Sequence, residues 1–558
     1  MKNKELMKKV LVATMMTTMI SSMGAGALIP SMEVFAQTVK SEEVSKSDNK
    51  DSLGKRNVMY YGDWSIWGGQ GNFYPKDIPA DQLTHLNFAF IDFDANGNLI
   101  FTDKDAAVGA PVGQEGVQWG APNAGILIAL QQLRAENPNL KLGISVGGWS
   151  KSGDFSEMAS NSKSRENFIK NIIKFIDYTN MDFVDLDWEY PSEVREADLV
   201  DNANDEGTPN AKPQDKENYI KLLEELRVEL NNKGIETNKY YELTVALPAA
   251  KSKVDSGIDV DKLFNIVDFA NIMTYDLRGA WDNYSGHQTG LYPNENDPIN
   301  NESGNKLSVD ESVNYLIEKG AEPEKIVIGA AYYTRGWNKV EKGSNAELPG
   351  LFGQAEKNGR DADQTPSYGA PNEAPLKSGD GGRASGVWSY RSLDKLKAQY
   401  PGLKEYWDEE AKAPYLYDES TGKFFTYDNV KSIEEKGKYV HENNLGGIIG
   451  WMSSQDASTN NTSRRDELQS ATKNVLFGDE KLPEYEINYS DLDVTATVST
   501  YEQQWGADRK GYEITIKNNE KSEETNSVLK EVERGAETIK APKLYIKSDK
   551  ALKSGDYT

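Results

Sequence analysis

Short apolar, β-branched runs alternate with longer amphipathic stretches along most of the chain. The runs span 58–61, 85–91, 142–147, 183–189, 243–247, 267–275, 326–333 and 445–451, eight in all. Between them lie stripes at helical spacing: Phe168, Ile169, Ile172, Ile173 and Ile176 within 165–178, and Tyr219, Leu222, Leu223, Leu226 and Leu230 within 216–230. Eight strands alternating with helices predict an α/β fold, a (β/α)8 TIM barrel whose functional residues collect at the C-terminal strand ends. A doubly wound open sheet would carry a glycine-rich phosphate loop after its first strand, and none follows 58–61.

The interval between the seventh and eighth runs is too long for a loop and holds strand-like pieces of its own, such as 386–390 and 423–427. It predicts a small inserted α+β subdomain over 338–443, standing on the top face as one wall of a groove, within a barrel spanning 56–478. Beyond the barrel, 491–500 and 511–518 alternate as strands, so 485–558 is expected to be a β-rich accessory domain. Its Trp505, Tyr501 and Tyr512 fit either a carbohydrate-binding face or a purely structural unit. The last four residues form no closing element and read as a truncated end. At the other terminus, Lys2, Lys4, Lys8 and Lys9 precede an uncharged, largely apolar stretch over 10–29, and Val34-Phe35-Ala36 offers a cleavage site. This predicts a signal peptide over 1–36, a flexible lead over 37–55, and an extracellular protein free of the membrane after cleavage.

Composition narrows the chemistry. Lys and Arg total 63 against 88 Asp and Glu, a net charge of −25, which argues against nucleic acid and suits an uncharged polymer. There is no cysteine, so disulfides, thiolate metal sites and a thiol nucleophile are excluded; in an exported protein this points to a bacterial source. With three His in the chain, a His-rich metal site is not expected, no cofactor is called for, and a monomer is expected. The 11 Trp and 28 Tyr offer flat faces of the kind on which sugar rings stack.

The most informative stretch is Asp182-Phe183-Val184-Asp185-Leu186-Asp187-Trp188-Glu189-Tyr190-Pro191. Side chains alternate along a strand, so Asp185, Asp187 and Glu189 share the face that points into the barrel, while Val184, Leu186 and Trp188 pack outward. Proximity and desolvation raise at least one of the three pKa values, which gives a carboxylic acid still protonated near neutral pH. Glu189 is nearest the rim. A carboxylate-bound Mg²⁺ or Mn²⁺ is the competing reading of the same triad.

The stretch resembles the D-G-x-D-x-D-W-E signature of glycoside hydrolase family 18. Ser145-Val146-Gly147-Gly148-Trp149, Met273-Thr274-Tyr275-Asp276, the segment 329–337 and the segment 446–451 resemble further family motifs, and the resemblance covers roughly 57–475. It implies a chitinase working by substrate-assisted retention: Glu189 as proton donor, Asp187 holding the acetamido N–H and stabilising the oxazolinium cation, Asp185 sharing a proton with Asp187, and Tyr275 as donor to the substrate acetamido oxygen. Chitin and chito-oligosaccharides would be the ligands. The implied substrate contacts are Trp451 as an apolar floor, Trp149 as a stacking platform, and Tyr190, Met273, Asp276 and Arg335 in the groove. Gly147 and Gly148 belong to the same set, as do Tyr60 and Ser145, which are expected below the carboxylates, shaping their hydrogen bonds. Phe183 stands where the family usually has Gly; it is read as lying on the other face from the carboxylates, altering packing behind the strand. An N-glycan-cleaving endoglycosidase and a non-catalytic chitin-binding lectin on the same barrel are the alternatives. The Trp188 and the long insertion disfavour the first, and the presence of Glu189 disfavours the second.

Overall fold

The computed structural model describes residues 54–199, 202–237, 239–299, 306–360, 366–373, 384–457, 464–479, 482, 494–502 and 510–518. The expected signal segment, nearly all of the lead, Trp505 and most of 485–558 lie outside the described residues. Eight parallel strands close into a barrel: β1 (Arg56–Gly62), β2 (His85–Phe93), β3 (Lys141–Gly147), β4 (Phe183–Asp187), β5 (Glu242–Pro248), β6 (Phe269–Met273), β7 (Ile326–Ala331) and β8 (Gly447–Trp451). Each pairs with the next, and β1 pairs with both β2 and β8, which completes the ring.

Both faces of each strand are covered, which is why the runs read as nearly continuous apolar sequence. Alternation decides which side each residue takes. Met59, Tyr61, Ala270, Ile272 and Ile448 join the cluster between strands and outer helices, whereas Val58, Tyr60, Phe269 and Ile449 fill the barrel interior. The outer layer comes from the predicted stripes. In helix Ser162–Thr179, Phe168, Ile169, Ile172 and Ile176 are buried, with Asn161 capping the start and Asn180 closing the end in the left-handed conformation. Helix Asp215–Thr237 buries Tyr219, Leu222, Leu223, Leu226 and Leu230. Truncating one such leucine to alanine costs about 2–5 kcal/mol.

Between β7 and β8 the chain builds a four-stranded antiparallel sheet in the order Lys404–Asp408, Ala413–Asp418, Lys423–Thr426, Arg335–Trp337. Trp337, Tyr415, Tyr417 and Phe424 form its own apolar cluster. The interval 338–443 differs from this unit at both ends. Arg335–Trp337, which lies before the expected start of the insertion, is the sheet's edge strand, and helix Val430–Glu442 packs on helix Glu467–Phe477 and β8 as part of the barrel's outer ring. Further on, Val494–Glu502 and Lys510–Asn518 pair as an antiparallel ribbon. No helix among the described residues is long and apolar enough to cross a membrane.

Candidate active site

The three carboxylates of β4 and its extension line up by depth: Asp185 is 0% exposed, Asp187 3% and Glu189 9%. Their outward partners behave as alternation requires, with Trp188 stacked flat on Phe155 at 4.9 Å and edge-on to Tyr219.

Asp185 is ringed by donors. Tyr60 Oη (2.5 Å) and Ser145 Oγ (2.8 Å) donate to one oxygen, and Thr244 Oγ1 (2.6 Å) and Asn271 Nδ2 (3.3 Å) to the other. Burial pushes its carboxyl above the usual range, and the four donors pull it back. Asp187 has no such help. Its Oδ1 has no hydrogen-bond partner among the described residues, and burial together with the charges of Glu189 and Asp185 pushes it well up. Glu189 is pushed up to about 7, chiefly by burial; a hydrogen bond from Tyr190 and the charges of Lys253 and Arg195 oppose this, and Asp276 adds to it. Hydrogen-bond donors that favour a negative charge thus surround Asp185 and are missing at Asp187 Oδ1.

Ser145 and Tyr60 are buried against Asp185, so they shape a carboxylate and do not face a groove. Gly147 and Gly148 are likewise buried and serve Asp187. A Cβ on Gly147, which has φ +103°, would fall 2.4 Å from the Asp187 carbonyl oxygen, and Gly148 N–H donates to that oxygen at 2.8 Å. Ser152 braces the next residue: its hydroxyl accepts Glu189 N–H at 2.9 Å and donates to Gly148 O at 2.9 Å.

Around this axis stand the rim residues. Trp451, at the end of β8, stacks on Phe90 at 5.9 Å and packs against Tyr60 and Trp64. A bulge between Ala89 and Ile91 accompanies Phe90's place in this aromatic group. Met273 closes β6 and is partly buried. Tyr275 follows, edge-on to Tyr333 at 6.4 Å, and burial holds its hydroxyl well above the ordinary tyrosine range, hence protonated. Asp276 adopts φ +53° and is gripped by Arg335 from the inserted sheet through Nε (2.7 Å) and a terminal nitrogen (2.8 Å), with Tyr333 Oη at 2.7 Å. Trp149 is 44% exposed, but the Arg195 guanidinium covers one face of its ring at 3.8 Å, itself held by both oxygens of Asp205. Tyr190 lies edge-on to Trp149 at 6.4 Å, under the Lys253 ammonium at 4.0 Å.

Phe183 requires correction. It sits two residues before Asp185, so it shares the inward face; its ring meets His85 edge-on at 5.4 Å inside the barrel base. Gly143 on β3 makes the room, because a Cβ there would come within 2.3 Å of the ring. Thr244, Asn271, Ser152, Arg195 and Lys253 were not singled out from sequence. Thr244 and Asn271 carried a usable signal, since each is a polar residue at an inward position of an otherwise apolar strand. Ser152 and Arg195 come from the loops just beyond Trp149 and Glu189, and Lys253 from helix Lys251–Gly257; these three carried none. Among the described residues no three His, Asp or Glu side chains converge as a metal site.

The family model for glycosyl hydrolases family 18 matches residues 56–456. Among curated proteins, chitinase A1 of Niallia circulans is 31% identical over 436 residues, 72% of this chain and 56% of its own length. Chitinase A of Pseudoalteromonas piscicida is 29% identical over 447 residues, 71% of this chain and 50% of its own. The chain thus spans about half the length of these two relatives. Among solved structures, chitinase ChiA74 from Bacillus thuringiensis superposes with a TM-score of 0.66 at 28% identity, covering 83% of this chain and 76% of its own. The Group IV chitinase of Ostrinia furnacalis in complex with allosamidin gives 0.61 at 30% identity, covering 76% and 98%.

Proposed function

The chain belongs to glycosyl hydrolase family 18, and from that premise we propose that it is a secreted chitinase that cleaves β-1,4 bonds of N-acetylglucosamine polymers with retention of configuration. The observation that carries the reading is Glu189, a carboxyl at the barrel mouth that burial holds at about 7, so that a proton is available for a glycosidic oxygen near neutral pH. The names of the matched relatives support the substrate. The basic, apolar and small-residue succession over 1–36 supports export.

Glu189 gives its proton to the leaving oxygen while the carbonyl oxygen of the substrate's own 2-acetamido group attacks the anomeric carbon. The bond to the leaving sugar breaks and a cyclic oxazolinium forms. Asp187 accepts the acetamido N–H and passes its own proton to Asp185 as positive charge develops beside it. Tyr275 donates its hydroxyl hydrogen to the acetamido oxygen, aligning that oxygen for attack. Trp451 forms an apolar floor under the distorted ring. Glu189, now a carboxylate, takes a proton from water, which attacks the same carbon from the side the leaving group vacated and reopens the ring.

Partly de-N-acetylated chitosan tests the reading. If the acetamido group is the nucleophile, every new reducing end is N-acetylglucosamine, as sequencing of product ends by mass spectrometry would report, and a thiazoline mimic of the cyclic intermediate inhibits competitively. A substantial share of glucosamine reducing ends refutes substrate assistance.

A further inference from the structure

Strands β6 and β7 pair through Ala270–Ile326, Asn271–Val327 and Ile272–Ile328, and the ladder ends there. Tyr275 lies three residues further on, where no ladder fixes its backbone. Its ring lies on the Cα of Gly329: a Cβ at that position would come within 2.8 Å of two of the ring carbons. The placement of the Tyr275 hydroxyl therefore depends on whatever holds residues 274 and 329 together.

A buried polar cluster does so. The Thr274 hydroxyl accepts Gly329 N–H at 2.7 Å and lies 3.2 Å from Gly329 O. Lys436, reaching in from helix Val430–Glu442, donates to Gly329 O (3.0 Å), to Thr289 Oγ1 (2.5 Å) and to Asp428 Oδ2 (2.7 Å). Thr289 Oγ1 in turn donates to the Thr274 carbonyl at 2.8 Å. Asp428 accepts Ala331 N–H at 2.9 Å and the Ser432 hydroxyl at 2.7 Å, so its carboxylate also anchors the end of β7. Lys436 and Asp428 are each 1% exposed. A buried pair of this kind is poor evidence for stability, because desolvating both charges offsets most of their attraction, and what it supplies best is a unique geometry.

We propose that the Lys436–Asp428 pair is a positioning device for Tyr275: the ammonium fixes Gly329 directly and Thr274 through Thr289, and thereby sets where the Tyr275 hydroxyl sits. The proposal rests on the reading that this hydroxyl serves the acetamido oxygen. Lys436 and Thr289 touch no reacting atom; they act through the strand ends.

The test is a double-mutant cycle on a soluble chromogenic chito-oligosaccharide. Thr289→Val keeps the ion pair and the side-chain shape while cutting the link from the ammonium to Thr274; Lys436→Gln removes the ammonium. Each should lower kcat roughly 3- to 10-fold with KM nearly unchanged, a fraction of the about 10²-fold that a 1 Å misplacement can cost. In the Tyr275→Phe background, which lacks the hydroxyl being positioned, the same substitutions should lower kcat by less than about 2-fold. An undiminished loss in that background, or a loss confined to KM, overturns the proposal. If Lys436→Gln does not fold, Thr289→Val decides alone. Normal turnover in Tyr275→Phe by itself would instead sink the functional reading on which the proposal stands, and the two failures are thus separable.

Discussion

Replacing Glu189, the proposed proton donor, with Gln should make the protein more stable, and only above a defined pH. Burial raises Glu189 from 4.5 to about 7 in the folded chain. A carboxyl with a raised folded pKa binds its proton more tightly folded than unfolded, so ionising it opposes folding. The penalty is absent below the unfolded value, grows between 4.5 and about 7, and is complete above that. Two and a half units at about 1.36 kcal/mol each amount to about 3 kcal/mol at pH 8, falling to about 1 kcal/mol at pH 5 and nearly nothing at pH 4. Glu189→Gln keeps the size and the polar character of the protonated form and cannot ionise, so it escapes the penalty. For a barrel of roughly 420 residues, an unfolding entropy of about 2.1 cal/mol/K per residue converts 3 kcal/mol into about 3 °C. Melting curves of both proteins from about pH 4 to 8 should therefore coincide at the acid end and separate to about 3 °C at the alkaline end. Equal melting temperatures at pH 8, or a gap that does not change with pH, would show that Glu189 is not held protonated by the fold, and the acid assignment would lose its physical basis.

The same variant should lose about 10²–10⁴-fold or more in turnover on a soluble chito-oligosaccharide while still binding it, measured by calorimetric titration. Thr244→Val removes the closest donor from Asp185 Oδ1, so it should raise that carboxyl further and move the acid limb of the kcat/KM profile to higher pH; a limb that stays in place counts against Asp185 as the ionised member. Lys253→Met deletes a cation that holds Glu189 down, so the alkaline limb, where activity falls as Glu189 loses its proton, should move to higher pH. That shift should shrink in high salt, because Lys253 is partly exposed. Exhaustive EDTA treatment should leave activity intact; a loss restored by Mg²⁺ or Mn²⁺ would revive a metal reading of the three carboxylates.

The barrel was legible because covering both faces of a parallel strand forces a continuous apolar run, and all eight runs became strands. Helices 162–179 and 215–237 declared themselves through five-residue stripes. The inserted unit was harder to bound. The insertion was expected to start at 338, yet β7 ends at Ala331 and the chain turns out of the barrel to pair Arg335 with Thr426, a partner some ninety residues on that only the folded sheet supplies. Helix Val430–Glu442 has an ordinary amphipathic pattern, and nothing in such a pattern says whether its apolar face meets the insertion or the barrel. Phe183 was misassigned although alternation alone places it with Asp185. What alternation could not tell is that Gly143, on the neighbouring strand, surrenders the volume its ring needs.

Three acids at alternate positions of one strand announce that their pKa values rise, but not which of them keeps a proton. That allocation depends on side chains from other parts of the chain. Asp185 receives four donors from β1, β3, β5 and β6, and charge is tolerated there. Asp187, two residues out, receives none at Oδ1 and has like charges on either side. Glu189 meets one tyrosine hydroxyl and two cations at longer range, enough to bring it down to about 7 and no further. Support for negative charge is thus greatest at the base, missing at Asp187 Oδ1 and partial at the mouth. In the proposed mechanism this gradient would send a proton leaving Asp187 inward to Asp185, and it leaves Glu189 at about 7, with a proton that could be given up near neutral pH. The strand supplies the acids in a row; how well each tolerates charge is set by groups that four other strands, the segment after β4 and helix Lys251–Gly257 bring to it.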